Sequence, residues 1–213
     1  MKIRDSQRGK VYHWERRALR DTGTAVLTLE ECQQLVNRIW RSYFTKYSEP
    51  PKVLDGRGRR NACGNRYDIR LPKWARQPVV VIHEVSHSIH CNLWQWTPGQ
   101  EYATHGSMFV RTYIEVLLRF EYSSGRREAI TDSARKYHVK IGRRDVFEKS
   151  VARHKEVFIA RVKMNGMDIS SLNGEPKWWL RKAAANMNEM SYPPRTGLKH
   201  FRPSGVVIGV KEA

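Results

Sequence analysis

Along most of this chain hydrophobic positions recur every three to four residues, and the regime changes most clearly between residues 50 and 72, where short alternating runs and turn residues take over. Residues 6–20 place Val11, Trp14 and Ala18 on one stripe, with Tyr12 and Leu19 beside it, which predicts an amphipathic helix. Residues 28–44 repeat the pattern through Leu29, Cys32, Leu35, Val36, Ile39, Trp40 and Tyr43, and Thr28 with Glu31 forms a capping-box sequence at the start. Pro50 and Pro51 close that segment.

Short strands are expected at Val53 and Leu54, over 62–64 and over 67–71, where Tyr67, Ile69 and Leu71 alternate with Asp68 and Arg70. A small antiparallel sheet is the economical arrangement. Pro78 then suits the first turn of a helix running to about residue 91, apolar on most faces through Val79, Val80, Val81, Ile82, Val85 and Ile89. Such a helix belongs at the centre of the fold. A loop is expected over 92–104, then an amphipathic helix over 106–122 carrying Met108, Phe109, Tyr113, Val116, Leu117 and Phe120. Further helices are expected over 127–139, 146–162 and 176–190, with a strand-like end over 206–210. The sum is an α+β fold, mostly helical, with residues 1–145 forming one domain and the basic residues 146–213 a C-terminal extension of unknown role.

Composition narrows the class. Of 213 residues 40% are hydrophobic and seven are Trp, enough apolar material for a folded core. The charged opening MKIRDSQRGK precedes no apolar stretch of signal-peptide length, and the longest aliphatic run is Val79 to Ile82, so neither secretion nor a membrane span is expected. Cys32, Cys63 and Cys91 are widely spaced and form no CxxC pair; they are expected to be reduced thiols, mostly buried, rather than disulfide partners or zinc ligands.

A formal net charge of +18 makes a polyanion the natural partner. Its distribution says more: residues 1–77 carry a net +10 and 126–182 a net +8, whereas 78–125 set only Arg111 and Arg119 against Glu84, Glu101, Glu115 and Glu121. A neutral-to-acidic centre with basic flanks suits a metal site bordered by a phosphate-binding surface. Arg57, Arg59, Arg60 and Arg66, with Lys140, Arg143 and Arg144, are the candidates for that surface, and an ordinary solvated face is the alternative.

The central helix contains His83-Glu84-Val85-Ser86-His87, an HExxH sequence. Four residues of helix amount to about 400° of rotation, so the two imidazoles point the same way one turn apart and can take adjacent corners of a zinc tetrahedron. Glu84 beside them can take a proton from metal-bound water and return it to a leaving amine. A catalytic zinc needs a third protein ligand, and the candidates are His90, Glu101, His105 and Glu115. His90 shares the helix and suits packing or support of a ligand. Glu101 has the right chemistry but lies in a loop. His105, just ahead of Gly106 at the start of the next helix, is preferred. Trp94, Trp96 and Tyr102 in the expected loop could line a cleft, stack on bases or simply pack in the core, and Tyr102 could donate to an oxyanion.

HEVSH followed after a short loop by HGSMF resembles the SprT-like (Spartan) zinc metalloproteases, over about residues 50–122. The opening RDSQRGKVYHWE is also similar to a group of small bacterial and phage metallohydrolases with the same two motifs. What the resemblance implies is a zincin-like minidomain packed over the HExxH helix, zinc as cofactor, peptide-bond hydrolysis of a protein substrate and, for Spartan, action on proteins attached to DNA. It also implies His83, His87 and His105 as ligands and Glu84 as the catalytic acid/base, in the cytoplasm of a bacterial or phage-infected cell or in a virion. The competing reading is a non-enzymatic nucleic-acid-binding or virion-associated protein with a structural or vestigial metal site.

Overall fold

The computed structural model describes residues 5–19, 25–44, 48–94, 103–120 and 127–164. In chain order the elements are α1 (Arg8–Ala18), α2 (Leu29–Tyr43), β1 (Lys52–Asp55), β2 (Cys63–Gly64), β3 (Asp68–Leu71), a 3₁₀ turn (Lys73–Ala75), α3 (Pro78–Trp94), α4 (Ser107–Phe120), α5 (Arg127–Lys136) and α6 (Arg144–Met164). This is an α+β architecture, mostly helical. The chain divides into two compact units, Met1–His154 and Lys155–Ala213. The first holds every other element; of the second, the described residues are the end of α6, where Val157 and Ile159 are buried. The segments expected over 176–190 and 206–210, together with Trp96, Glu101 and Tyr102, lie outside the described residues.

The centre is α3. From Val81 to Leu93 nearly every side chain is buried, because α2, α4 and the sheet all pack against it. The helix runs three residues past its expected end, so Trp94 is a buried helical residue rather than part of a loop. On one side α2 buries Cys32, Leu35, Val36, Ile39, Trp40 and Tyr43, the stripe the periodicity predicts. Its start is fixed as the sequence suggests: the Glu31 amide donates to Thr28 Oγ1 at 3.1 Å and the Thr28 amide to Glu31 Oε2 at 2.7 Å. On α1, Val11, Trp14 and Leu19 are buried whereas Ala18 is exposed, so the inward stripe ends on Leu19 instead.

The sheet is mixed rather than antiparallel. Strand order is β1-β3-β2; β1 runs parallel to β3 with Val53 opposite Ile69, and only β2 pairs antiparallel to β3, with Gly64 opposite Ile69. The reason is topological. Asn65 turns the chain tightly between β2 and β3, its side chain accepting the Tyr67 and Asp68 amides at 2.7 and 3.0 Å. With that hairpin made, β1 takes the other edge of β3, and the 56–67 connection is long enough to return the chain in the same direction. Helix α2 holds β1 there, since Gln33 accepts the Val53 amide at 2.7 Å and donates to the Pro51 carbonyl at 3.1 Å. Ile69 and Leu71 then face the core, fully buried.

Helix α5 ends at Lys136 rather than near residue 139, because His138 adopts a left-handed backbone (φ 57°) and the Val139 amide bonds back to the Ala134 carbonyl. The connection that follows is laid on the start of α4: the Gly142 amide donates to Ser107 O at 2.8 Å, and a Cβ at Gly142 would meet Met108 Sδ at 2.3 Å. Of the cysteines, all free, Cys32 is buried, Cys63 half-buried and Cys91 exposed, so one thiol rather than most of them belongs to the core. Among the described residues no helix is long and apolar enough to cross a membrane.

Candidate metal centre

Three imidazoles converge between α3 and α4. His83 and His87 come from successive turns of α3 and His105 from the turn just before α4; all three are buried, and one donor atom from each can be chosen so that the three lie within 4.8 Å of one another. These are the three ligands the sequence suggests. His83 Nε2 and His87 Nε2 stand 3.1 Å apart. Two nitrogens each about 2.0–2.1 Å from a tetrahedral zinc are separated by roughly 3.3 Å, so this spacing suits a shared cation.

The remaining ring nitrogens show which atoms are available. His83 Nδ1 lies 3.0 Å from Glu15 Oε1, and His105 Nδ1 lies 2.7 Å from Asp5 Oδ2. An ionised carboxylate only accepts, so each Nδ1 carries a proton and, in the neutral imidazole, each Nε2 keeps a lone pair. The Nε2 of His105 is fully buried with no hydrogen-bond partner. A buried Nε2 with no partner, beside the closely paired Nε2 atoms of His83 and His87, is a set of donors that a metal ion fits. The residues present therefore suit a divalent cation bound through nitrogen.

Around the imidazoles stands a ring of aromatic side chains. Phe109 stacks on His87 at 4.1 Å between centroids, Tyr12 stacks on His83 at 5.6 Å and meets His105 edge-on at 5.1 Å, and Tyr113 meets His83 edge-on at 5.3 Å. Gln7, itself buried, locks the periphery: its amide nitrogen donates to the carbonyls of His105 and Lys140, and its oxygen accepts the Lys140 amide. Arg8 lies over the Tyr12 ring at 5.6 Å.

Electrostatics follow from burial. Desolvation pushes His87 well below the ordinary histidine value, reinforced by His83, His105 and His90, so it is neutral and free to donate its lone pair. Burial likewise lowers His105, against the pull of Asp5. At His83 burial acts the same way, but the Glu15 carboxylate more than offsets it and the imidazole is raised. Burial would lift Glu15 too, yet His83 and the hydrogen bonds from His83 and Tyr113, the latter 2.6 Å, keep it below the usual carboxylate range. Glu84, adjacent on α3, is buried and its carboxyl is raised by desolvation, tempered by His83 and by the Gly64 amide that donates to it. A carboxyl lifted in this way is suited to taking up a proton and giving it back.

Of the other candidates, Glu101 lies outside the described residues, and two have other partners. His90 is buried with its ring 6.1 Å from Trp94 and 6.2 Å from Phe109, a packing residue of α3. Glu115 is engaged with Arg111 at 3.2 Å and with Arg127. The basic positions form two groups. Arg57, Arg59, Arg60 and Arg66 occupy the loops flanking β2, whose Gly64 lies against Glu84; Lys140 and Arg143 lie between α5 and α6, Arg144 opens α6, and Lys140 is tied to His105 through Gln7. Arg143 and Arg144 are ion-paired to Asp145 at 2.7 Å and Glu148 at 2.8 Å.

Sequence reasoning missed Asp5, Gln7, Tyr12 and Glu15. The signal was there in a weak form: Tyr12 and Glu15 share one face of α1, three residues apart, and a carboxylate on the inward side of an amphipathic helix needs a buried partner. No protein-family model, curated protein or solved structure matches the chain.

Proposed function

We propose that this chain is a zinc-dependent metallohydrolase with a zincin-like core, similar to the SprT-like proteases, that hydrolyses peptide bonds. The observation that carries the reading is the buried trio His83, His87 and His105 beside Glu84. A purely structural site has no use for an extra buried carboxyl next to its ligands; a hydrolytic one does.

In this reading the Nε2 atoms of His83, His87 and His105 would hold the ion, and zinc, when bound, would polarise a substrate carbonyl and lower the pKa of a water to about 7. Glu84 would serve as the proton carrier of the reaction, taking up a proton at its carboxylate and returning it to the departing amine. The rings of Phe109 and Tyr12 exclude bulk water from the imidazoles, and Tyr12 presents a phenol beside them. Burial raises that phenol while Arg8 opposes the shift, so it stays a protonated donor at neutral pH.

A nucleic-acid-bound protein is the proposed substrate class. The support is the exposed loop bearing Arg57, Arg59 and Arg60: Arg57 approaches Asp55 only at 3.6 Å, and among the described residues Arg59 and Arg60 form no ion pair. The test compares wild type with Glu84→Gln. Both should bind one zinc per chain, and kcat for a DNA-binding protein substrate should fall by about 10²–10⁴ in the variant. Equal activity in the two proteins ends the enzyme reading. Affinity for DNA should fall steeply with salt, and a flat response ends the nucleic-acid half.

A further inference from the structure

We infer that Asp5 and Glu15 are positioning residues of the metal centre, contributed by the N-terminal segment to hold His105 and His83 in the one tautomer that can bind a cation. The inference rests on reading those imidazoles as ligands and adds the groups that prepare them.

Each of the two bonds joins Nδ1 of a proposed ligand to a carboxylate oxygen, at 3.0 Å for Glu15 and 2.7 Å for Asp5. An imidazole without such a partner divides its proton between two nitrogens and can turn about its own axis. With a proton fixed at Nδ1, the neutral imidazole offers its lone pair from the opposite nitrogen alone. Both bonds are sheltered: the His83 and His105 side chains are 3% and 4% exposed, and Glu15 and Asp5 15% and 23%. Glu15 is itself steadied by the Tyr113 hydroxyl, and Asp5 also accepts the His105 amide at 3.3 Å. The third imidazole, His87, is instead braced by the flat stack of Phe109.

Charge points the same way. Three neutral imidazoles leave a divalent cation with its full charge in a low-dielectric interior, where an uncompensated ion is costly. Two carboxylates one bond further out balance it. The sequence supplies the pair from residues far from the ligands, 68 positions away for Glu15 and 100 for Asp5, so neither is a by-product of local helix geometry.

The deciding experiment is competition for zinc between a chelator of known affinity and the full chain, as wild type, Asp5→Asn, Glu15→Gln and Glu115→Gln, with the melting temperature of each zinc-free protein measured alongside. Asp5→Asn and Glu15→Gln should each bind zinc about 10–100-fold more weakly. Glu115→Gln, which alters a buried carboxylate paired with arginines, should match wild type. A merely structural ion pair would lower the zinc-free melting temperature and leave zinc affinity unchanged, and that result overturns the inference. If Glu15→Gln does not fold, Asp5→Asn, at the more exposed carboxylate, decides alone. Failure of wild type to bind zinc at all removes the reading of the imidazoles as ligands and this inference with it, a result distinct from equal affinities across the series.

Discussion

Gly64 lies so close to Glu84 that a Cβ at position 64 would stand 2.1 Å from the Glu84 carbonyl oxygen. The obstacle is backbone of the central helix, which cannot swing aside as a side chain would. Gly64→Ala should therefore push β2 off α3, costing about 1–3 kcal/mol. It should also detach the Gly64 amide from the Glu84 carboxyl. The expected outcome is a lower melting temperature and, on the proposed function, a loss of peptide hydrolysis larger than the loss of zinc, read by thermal melting, turnover and metal content on one preparation.

Gln7 bridges two stretches of chain more than thirty residues apart, through the carbonyl of His105 and both backbone groups of Lys140. Truncating it strands buried polar groups that have no replacement partner. Gln7→Ala should destabilise the fold by roughly 2–3 kcal/mol in a urea titration. An effect below about 0.5 kcal/mol would mean that water replaces the side chain at no cost.

His90 provides a pH test. Burial, aided by the charge of His105, depresses its pKa from 6.5 to about 4. The folded state thus holds it neutral where the unfolded chain would protonate it. Its contribution is fully present above pH 6.5 and is lost as the pH falls from there toward 4, by roughly 3 kcal/mol in all. Thermal melting across pH 7 to 4 should show a shallower decline for His90→Gln than for wild type. Parallel slopes would assign the acid sensitivity to other groups.

Metal removal should be visible in stability. A ligand that binds only the folded chain raises its stability by RT ln(1 + [L]/Kd), about 4 kcal/mol at a thousandfold excess over Kd. Adding a chelator to the zinc-loaded protein should lower its melting temperature. The same chelator should have no effect on His105→Ala, in which the third nitrogen is gone. A chelator response that survives in His105→Ala would relocate the metal.

Much of the centre is legible in the sequence because its information is local. His83 and His87 share a face by helical arithmetic, and His105 follows within a stretch short enough to return to them. The central position of α3 follows equally from its all-round apolar character. What escapes is whatever depends on distant segments meeting. Asp5 and Glu15 look like ordinary surface charges of a basic N-terminus until α1 is laid across the imidazoles. The parallel pairing of Val53 with Ile69 is hidden for the same reason: two short strands separated by a turn look like a hairpin, and only Asn65, tightening the next turn, decides otherwise. Helix ends shift where a side chain or a left-handed residue intervenes, as at His138.

The span from Asp5 to His105 carries an implication for biosynthesis. During translation Asp5 leaves the ribosome long before His105, so nascent chains that end before His105 hold only part of the imidazole cluster and leave Asp5 without its partner. A truncated or stalled product that stops short of His105 therefore lacks one of the three clustered imidazoles and, on the proposed function, cannot hold the metal as the whole chain would.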